Sequence, residues 1–164
     1  MRGAELERAI VDAAPALLGY FVHRVRNAED AADLVSETLI AAWKSVRRMP
    51  RHPEQARMWL FGIARNVLRH HGRTMARRDA LTMRLAGALA AAPATDPDKA
   101  LDIRAAVGAL PPEHAELVRL VHWDGFTLEE AAIHLGIPAS TARSRHARAK
   151  QLLREALAPS PARG

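Results

Sequence analysis

The sequence predicts an all-α protein made of two small helical domains, and three observations predict it. Hydrophobic residues form 49% of the 164 against 26% charged, enough for a packed core, while aromatics are only 4% and no useful stretch alternates with period two. Ala and Leu, both good helix formers, are abundant instead, and apolar side chains recur at three- and four-residue spacing. Finally, Leu89-Ala-Ala-Ala-Pro-Ala-Thr-Asp-Pro-Asp98 joins small residues to two prolines, neither of which fits a helix interior without a lost hydrogen bond and a clash. It reads as a linker over 87–98 between domains at 1–86 and 99–164. Domains this small bury a modest share of their surface, so a partner's surface is expected to contribute to their stability.

Charge and composition narrow the function. Lys plus Arg number 24 against 18 Asp plus Glu, a net +6, and the excess is almost entirely arginine. Guanidinium forks match phosphate oxygens and guanine edges, which points to an anionic partner, nucleic acid before a membrane surface. The chain has no cysteine, which excludes a disulfide framework, a thiolate zinc site, an iron–sulfur cluster and a cysteine nucleophile. Its eight histidines form no paired ligand motif with a carboxylate, and there is no phosphate loop or nucleophile motif, so neither metal, cofactor, small-molecule substrate nor enzymatic activity is expected. No apolar run approaches the roughly 18 residues of a membrane span, and the opening Met-Arg-Gly-Ala-Glu-Leu-Glu is too acidic for a secretory signal. A cytoplasmic protein without direct membrane insertion is expected.

Helical patterns run over roughly 4–25, 28–48 and 54–84, then over roughly 99–108, 112–122, 127–135 and 138–157. In the second, Ala31, Leu34, Val35, Thr38, Leu39, Ala42 and Val46 make one buried stripe, and Glu29, Asp30, Asp33 and Glu37 make an acidic face over its first turns. That face is either a solvated match to the helix dipole or a dock for a basic partner. The third pattern has no acid from Gln55 through Arg78 but carries Arg57, Arg65, Arg69, Arg73, Arg77 and Arg78. The series Arg65, Arg69, Arg73, Arg77 drifts about 40° per step over roughly 18 Å of axis, a basic ridge whose self-repulsion is best explained by a polyanion. Opposite it, Trp59, Leu60, Ile63, Val67 and Leu68 are expected to supply core contact, with Trp59 either a core or rim residue or a base-stacking platform.

In the last two helices the grammar is that of a helix-turn-helix. Thr127-Leu-Glu-Glu130 has the form of a capping box, Ala131, Ala132 and Leu135 point inward, Gly136 permits the turn, Ile137 plugs the corner and Pro138 suits the first turn of the next helix. That next helix gathers Ala142, Ala149 and Leu153 on one side. It spreads Ser140, Thr141, Arg143, Ser144, Arg145, Arg148 and Lys150 over a polar arc uninterrupted by acid, which suits phosphate contacts and guanine edges in a major groove. His146 sits beside the apolar stripe and reads as a partly buried structural residue.

Taken in order, Ala28-Glu-Asp-Ala-Ala-Asp-Leu-Val-Ser-Glu-Thr-Leu-Ile-Ala-Ala-Trp43, Met58-Trp-Leu-Phe-Gly-Ile-Ala-Arg-Asn-Val67, Leu110-Pro-Pro-Glu113, Leu135-Gly-Ile-Pro138 and Thr141-Ala-Arg-Ser-Arg145 resemble the bacterial extracytoplasmic-function sigma factors of the sigma-70 superfamily. The resemblance implies a promoter-specificity subunit of RNA polymerase with a region 2-like first domain and a region 4-like second one. By similarity, Asp33, Leu34 and Glu37 dock on the β′ coiled coil of core polymerase, whose β flap is a further contact. Arg48, Met49, His52, Arg65, Asn66, Arg69, Arg73 and Arg77 open and hold the minus-10 element, Asn66 beside the extruded base. Ser140, Thr141, Arg143, Ser144, Arg145, Arg148 and Lys150 read the minus-35 duplex, and an anti-sigma factor is an expected partner.

Two departures qualify the carry-over. The loop Arg47-Arg-Met-Pro-Arg-His-Pro-Glu54 lacks the family's aromatic and holds two prolines, so no base preference transfers. In the recognition helix Ala142 and His146 replace larger apolar residues, an expected loss of roughly 1–2 kcal/mol of burial unless a neighbour fills the space. The rival readings are an adaptor that mimics a sigma factor to sequester an anti-sigma factor, and a stand-alone helix-turn-helix repressor. The first has no use for a basic recognition helix, and the second leaves the acidic helix and the arginine ridge unexplained.

Overall fold

The structure, a computed structural model, describes residues 2–86 and 99–158; the expected linker at 87–98 lies outside the described residues. The chain falls into two compact units, Met1–Pro93 and Ala94–Gly164. Among the described residues all regular structure is helical: seven α-helices, one 3₁₀ turn and one π turn.

The first unit packs α1 (Arg2–Val22), α2 (Ala28–Lys44) and α3 (Pro53–Ala86) against one another, with a 3₁₀ turn at Val46–Arg48. Leu6, Leu17, Tyr20 and Phe21 of α1, Leu34 and Ala42 of α2, and Leu60, Phe61 and Ala64 of α3 are all buried. The scarce aromatics are concentrated here: Tyr20 stands edge-on to Phe21 at 5.3 Å and to Phe61 at 5.5 Å, an arrangement worth about 0.5–1.5 kcal/mol per pair beyond burial. On α3 the buried positions are Ala56, Leu60, Phe61 and Ala64, whereas the expected core residues Trp59, Ile63, Val67 and Leu68 are only half-buried. On α2 the expected stripe is fully buried at Ala31, Leu34, Thr38 and Ala42, and the Thr38 hydroxyl donates to the Leu34 carbonyl at 2.7 Å, which satisfies it inside the core.

Asn27 caps α2, its side-chain oxygen accepting from the Asp30 N–H at 2.8 Å. At the far end Ser45 donates to the Ala41 carbonyl at 2.6 Å. The α-helix therefore stops at Lys44, short of the expected 48. The residue before Pro50, Met49, is extended at φ −61° and ψ 128°, as the proline ring requires. Pro53 then opens α3, where its missing N–H costs nothing.

The second unit runs α4 (Lys99–Ala109), α5 (Pro112–Val118), a π turn at Arg119–Trp123, α6 (Leu128–Leu135) and α7 (Ala139–Leu157). Val107, Leu110, Ala115, Val118 and Ala149 form one core cluster, with Trp123, Leu152 and Leu153 packed on it. The capping box is complete: the Glu130 N–H donates to the Thr127 hydroxyl and the Thr127 N–H to the Glu130 carboxylate, each at 3.1 Å. Gly136 adopts the left-handed conformation at φ 67°. Pro138 takes the cap position of α7 rather than its first turn, and its carbonyl accepts from the Ala142 N–H at 3.1 Å.

Candidate nucleic-acid interface

The turn at Gly136 and the stop at Pro138 set the start of α7, and the period of the helix then decides which side chains face out. Ala142, His146 and Ala149 face in and are buried. Ser140, Arg143, Ser144, Arg148 and Lys150 are exposed, and Thr141 and Arg145 are half-buried. Three of these polar groups are already oriented. Ser144 Oγ donates to the Thr141 carbonyl at 3.0 Å, Arg148 donates to Gln151 Oε1 at 3.1 Å, and Arg145 lies 3.4 Å from the Glu113 carboxylate of α5. The arc therefore presents fixed guanidinium groups with no acid on its own helix among them.

On α3, Asn66, Arg69, Arg73 and Arg77 are exposed, and Arg65, at the start of the ridge, is half-buried. Arg48 and His52 are exposed in the preceding loop. Met49 is not: its backbone is extended before Pro50 and it retains only 7% exposure, so it does not share the open surface of Arg48 and His52. It lines a groove of about 520 Å³ between α1 and the loop, where Glu5, Arg8 and Asp12 face Arg51 and Arg57.

On the acidic face of α2 the structure separates the three residues by depth. Asp33 and Glu37 are exposed, but Leu34 is 1% exposed and belongs to the core stripe beneath them. Asp30, Asp33 and Glu37 edge a groove of about 420 Å³ whose other wall is His70, His71 and Thr74 of α3. Two exposed apolar residues follow on the same helix, Ile40 at 56% and Trp43 at 58%. Sequence reading passed over both, although their offset from the stripe Ala31, Leu34, Thr38, Ala42 was a legible signal.

His146 is 8% exposed. Its Nε2 lies 3.1 Å from Nε2 of His122, with the ring planes 18° apart. Burial, then the neighbouring His122 and then Lys150, hold its pKa below the ordinary histidine value. Among the described residues no group of three or more His, Cys, Asp or Glu could hold a metal ion, and no helix is long and apolar enough to cross a membrane.

Comparison with known families decides what these surfaces belong to. Residues 10–78 match sigma-70 region 2, and residues 100–153 match sigma-70 region 4. The ECF RNA polymerase sigma factor SigL of Mycobacterium tuberculosis is 30% identical over 147 residues, covering 87% of this chain and 83% of the relative. The chain belongs to the extracytoplasmic-function sigma factors. Another relative of this sigma factor is the ECF RNA polymerase sigma factor SigF of Caulobacter vibrioides, 32% identical over 94% of this chain and 89% of its own. Among solved structures, the sigma factor RpoE of Bartonella quintana, crystallised with the anti-sigma factor NepR, aligns with a TM-score of 0.68 and 26% identity over 96% of this chain and 99% of its own. Sigma factors are regulatory DNA-binding proteins of transcription initiation and not enzymes. In this sigma factor the α7 arc lies in the region 4 match, and the α2 face and the α3 ridge lie in the region 2 match.

Proposed function

We propose that this sigma factor binds core RNA polymerase and directs initiation at promoters whose minus-35 element it reads as duplex through α7 and whose minus-10 element it opens and holds through the loop before α3 and the α3 ridge. The observation that carries this reading is the acid-free exposed arc of α7, anchored by a complete capping box and a left-handed Gly136. Arg143 and Arg148 supply forks for guanine edges, and Lys150 a phosphate contact. In the first unit Asn66 and the groove beside Met49 would meet an extruded base, with Arg69, Arg73 and Arg77 along the backbone; unstacking costs a few kcal/mol, which those contacts offset. Asp33 and Glu37 dock on the β′ coiled coil, with Leu34 supporting them from below and Ile40 and Trp43 extending the contact.

Two small readers gain affinity together only when a scaffold sets their spacing. The protein alone should therefore bind promoter duplex weakly, and its place of action is the cytoplasm, with polymerase. The solved relative held by NepR makes an anti-sigma factor the regulator this reading implies. Run-off transcription with purified core polymerase tests it: site-specific transcripts should require both components. Tight, sequence-specific promoter binding by the protein alone, with no polymerase-dependent transcript, would replace this reading with a repressor.

A further inference from the structure

The buried stripe of the recognition helix is unusually thin. Facing inward over its length are Ala142, His146 and Ala149, with Leu152 and Leu153 half-buried beyond them. The C-terminal part of α7 is held by Ala149, Leu152 and Leu153 against the core cluster. In the N-terminal part, which carries Arg143, Ser144 and Arg148, the one large buried side chain among the described residues is His146. How that half of the helix is seated therefore depends on what His146 meets, together with the packing of α6 and Ala142.

It meets His122, in the π turn after α5. The ring centroids are 5.2 Å apart and nearly coplanar, yet the two Nε2 atoms are only 3.1 Å apart. The nitrogens thus lie between the rings and face each other along the line joining them, as in an imidazole–imidazole hydrogen bond. Such a bond needs one N–H and one lone pair. It exists when both rings are neutral, and it persists when one of them is protonated, because the charged ring then donates to the neutral one. It cannot exist when both are protonated, since two N–H groups and two positive charges would then face each other.

We propose that the His122–His146 hydrogen bond is the clamp that positions the reading half of α7, and that its loss on double protonation makes minus-35 recognition acid-sensitive. The carboxylate nearest in sequence is Asp124, buried two residues after His122 and itself engaged. From α5, Glu113 is engaged by Arg145 and Glu116 by Arg119, and His114 is a further base. From α6, Glu130 is held by its cap and Glu129 is exposed, while His134 lies against Phe126. Arg104 of α4 and Lys150 on α7 itself are cations. His146 also gains its charge with more difficulty than an ordinary histidine, through burial, His122 and Lys150 in that order, so the clamp holds through neutral pH. His122 and His146 are positioning residues on this account, acting through the arginines that touch DNA.

The inference rests on the proposed minus-35 reading, so its test separates the two. Holoenzyme would be assayed from pH 7.5 to 5.5 on paired promoters with intact and scrambled minus-35 elements, the ratio cancelling the pH response of polymerase itself. Imidazole nitrogen NMR of the full chain would follow both rings over the same range. The wild-type ratio should fall several-fold on acidification, in step with protonation of His146, and His146→Leu, which restores an apolar residue, should give a flat ratio. His122→Ala should lower the ratio already at pH 7.5. A His146→Leu ratio that falls with pH as in wild type, or a wild-type ratio that stays flat while His146 protonates, would overturn the clamp. A ratio of one at every pH would instead overturn the minus-35 reading on which it stands.

Discussion

The guanidinium of Arg145 lies 3.4 Å from the carboxylate of Glu113, tying the recognition helix to the first turn of α5. Arg145 is half-buried and Glu113 mostly exposed, so the pair contributes at most about 1 kcal/mol to folding. On the proposed minus-35 reading its larger effect is on DNA binding, because the carboxylate would compete with phosphate or a base edge for the same fork.

Glu113→Gln should accordingly tighten binding of holoenzyme to minus-35 duplex, by no more than about fivefold, the ceiling set by an exposed pair of about 1 kcal/mol. Salt titration of the affinity checks this. Weaker binding would mean that Glu113 holds Arg145 where DNA needs it.

Charge reversal of Asp33 and Glu37 to Lys should weaken association with core polymerase while leaving the helical fold in place. Both are exposed, and exposed helix acids contribute well under about 1 kcal/mol each to stability. Polymerase affinity and circular dichroism of the double variant check the two halves of the statement, and native affinity would remove these residues from the dock.

The pH dependence of folding has a definite sign. The pKa of His146 is lowered on folding, by burial first, from an unfolded value of about 6.5. The unfolded chain then binds the proton more readily, so its contribution to stability is fully present above pH 6.5 and is lost as pH falls below it toward the folded value. Thermal unfolding of the second unit should shift downward between pH 7 and pH 5, and His146→Leu should reduce that shift. An unchanged shift in the variant would place the titrating group elsewhere.

What was legible in the sequence was local. Thr127, Glu130, Gly136 and Pro138 act within a few residues of one another, and each performs the turn or cap its chemistry allows. The acidic face and the ridge were legible because helical period alone places Asp33, Glu37, Arg69 and Arg73. The Asn27 cap was equally local and was overlooked beside the acids that follow it. Depth was harder to read at Met49, which lies among exposed neighbours and is distinguished only by the tertiary contacts that bury it, whereas the burial of Leu34 followed from the stripe. The expected vacancy around Ala142 and His146 is partly filled by His122, a contact across 24 residues that no periodicity encodes.

The central claim, that α7 reads duplex sequence while α3 handles the opened strand, is tested most directly by permanganate footprinting of the minus-10 region alongside run-off transcription from promoters altered at minus-35. Arg143→Ala and Arg148→Ala should each lose roughly 1–3 kcal/mol of discrimination at minus-35 positions and leave melting intact. Arg69→Ala with Arg73→Ala should reduce melting on most promoters and flatten its salt dependence, since phosphate contacts act through counterion release. Abolished melting in the Arg143 and Arg148 variants, with only a changed minus-35 preference in the Arg69 and Arg73 variant, would contradict the account.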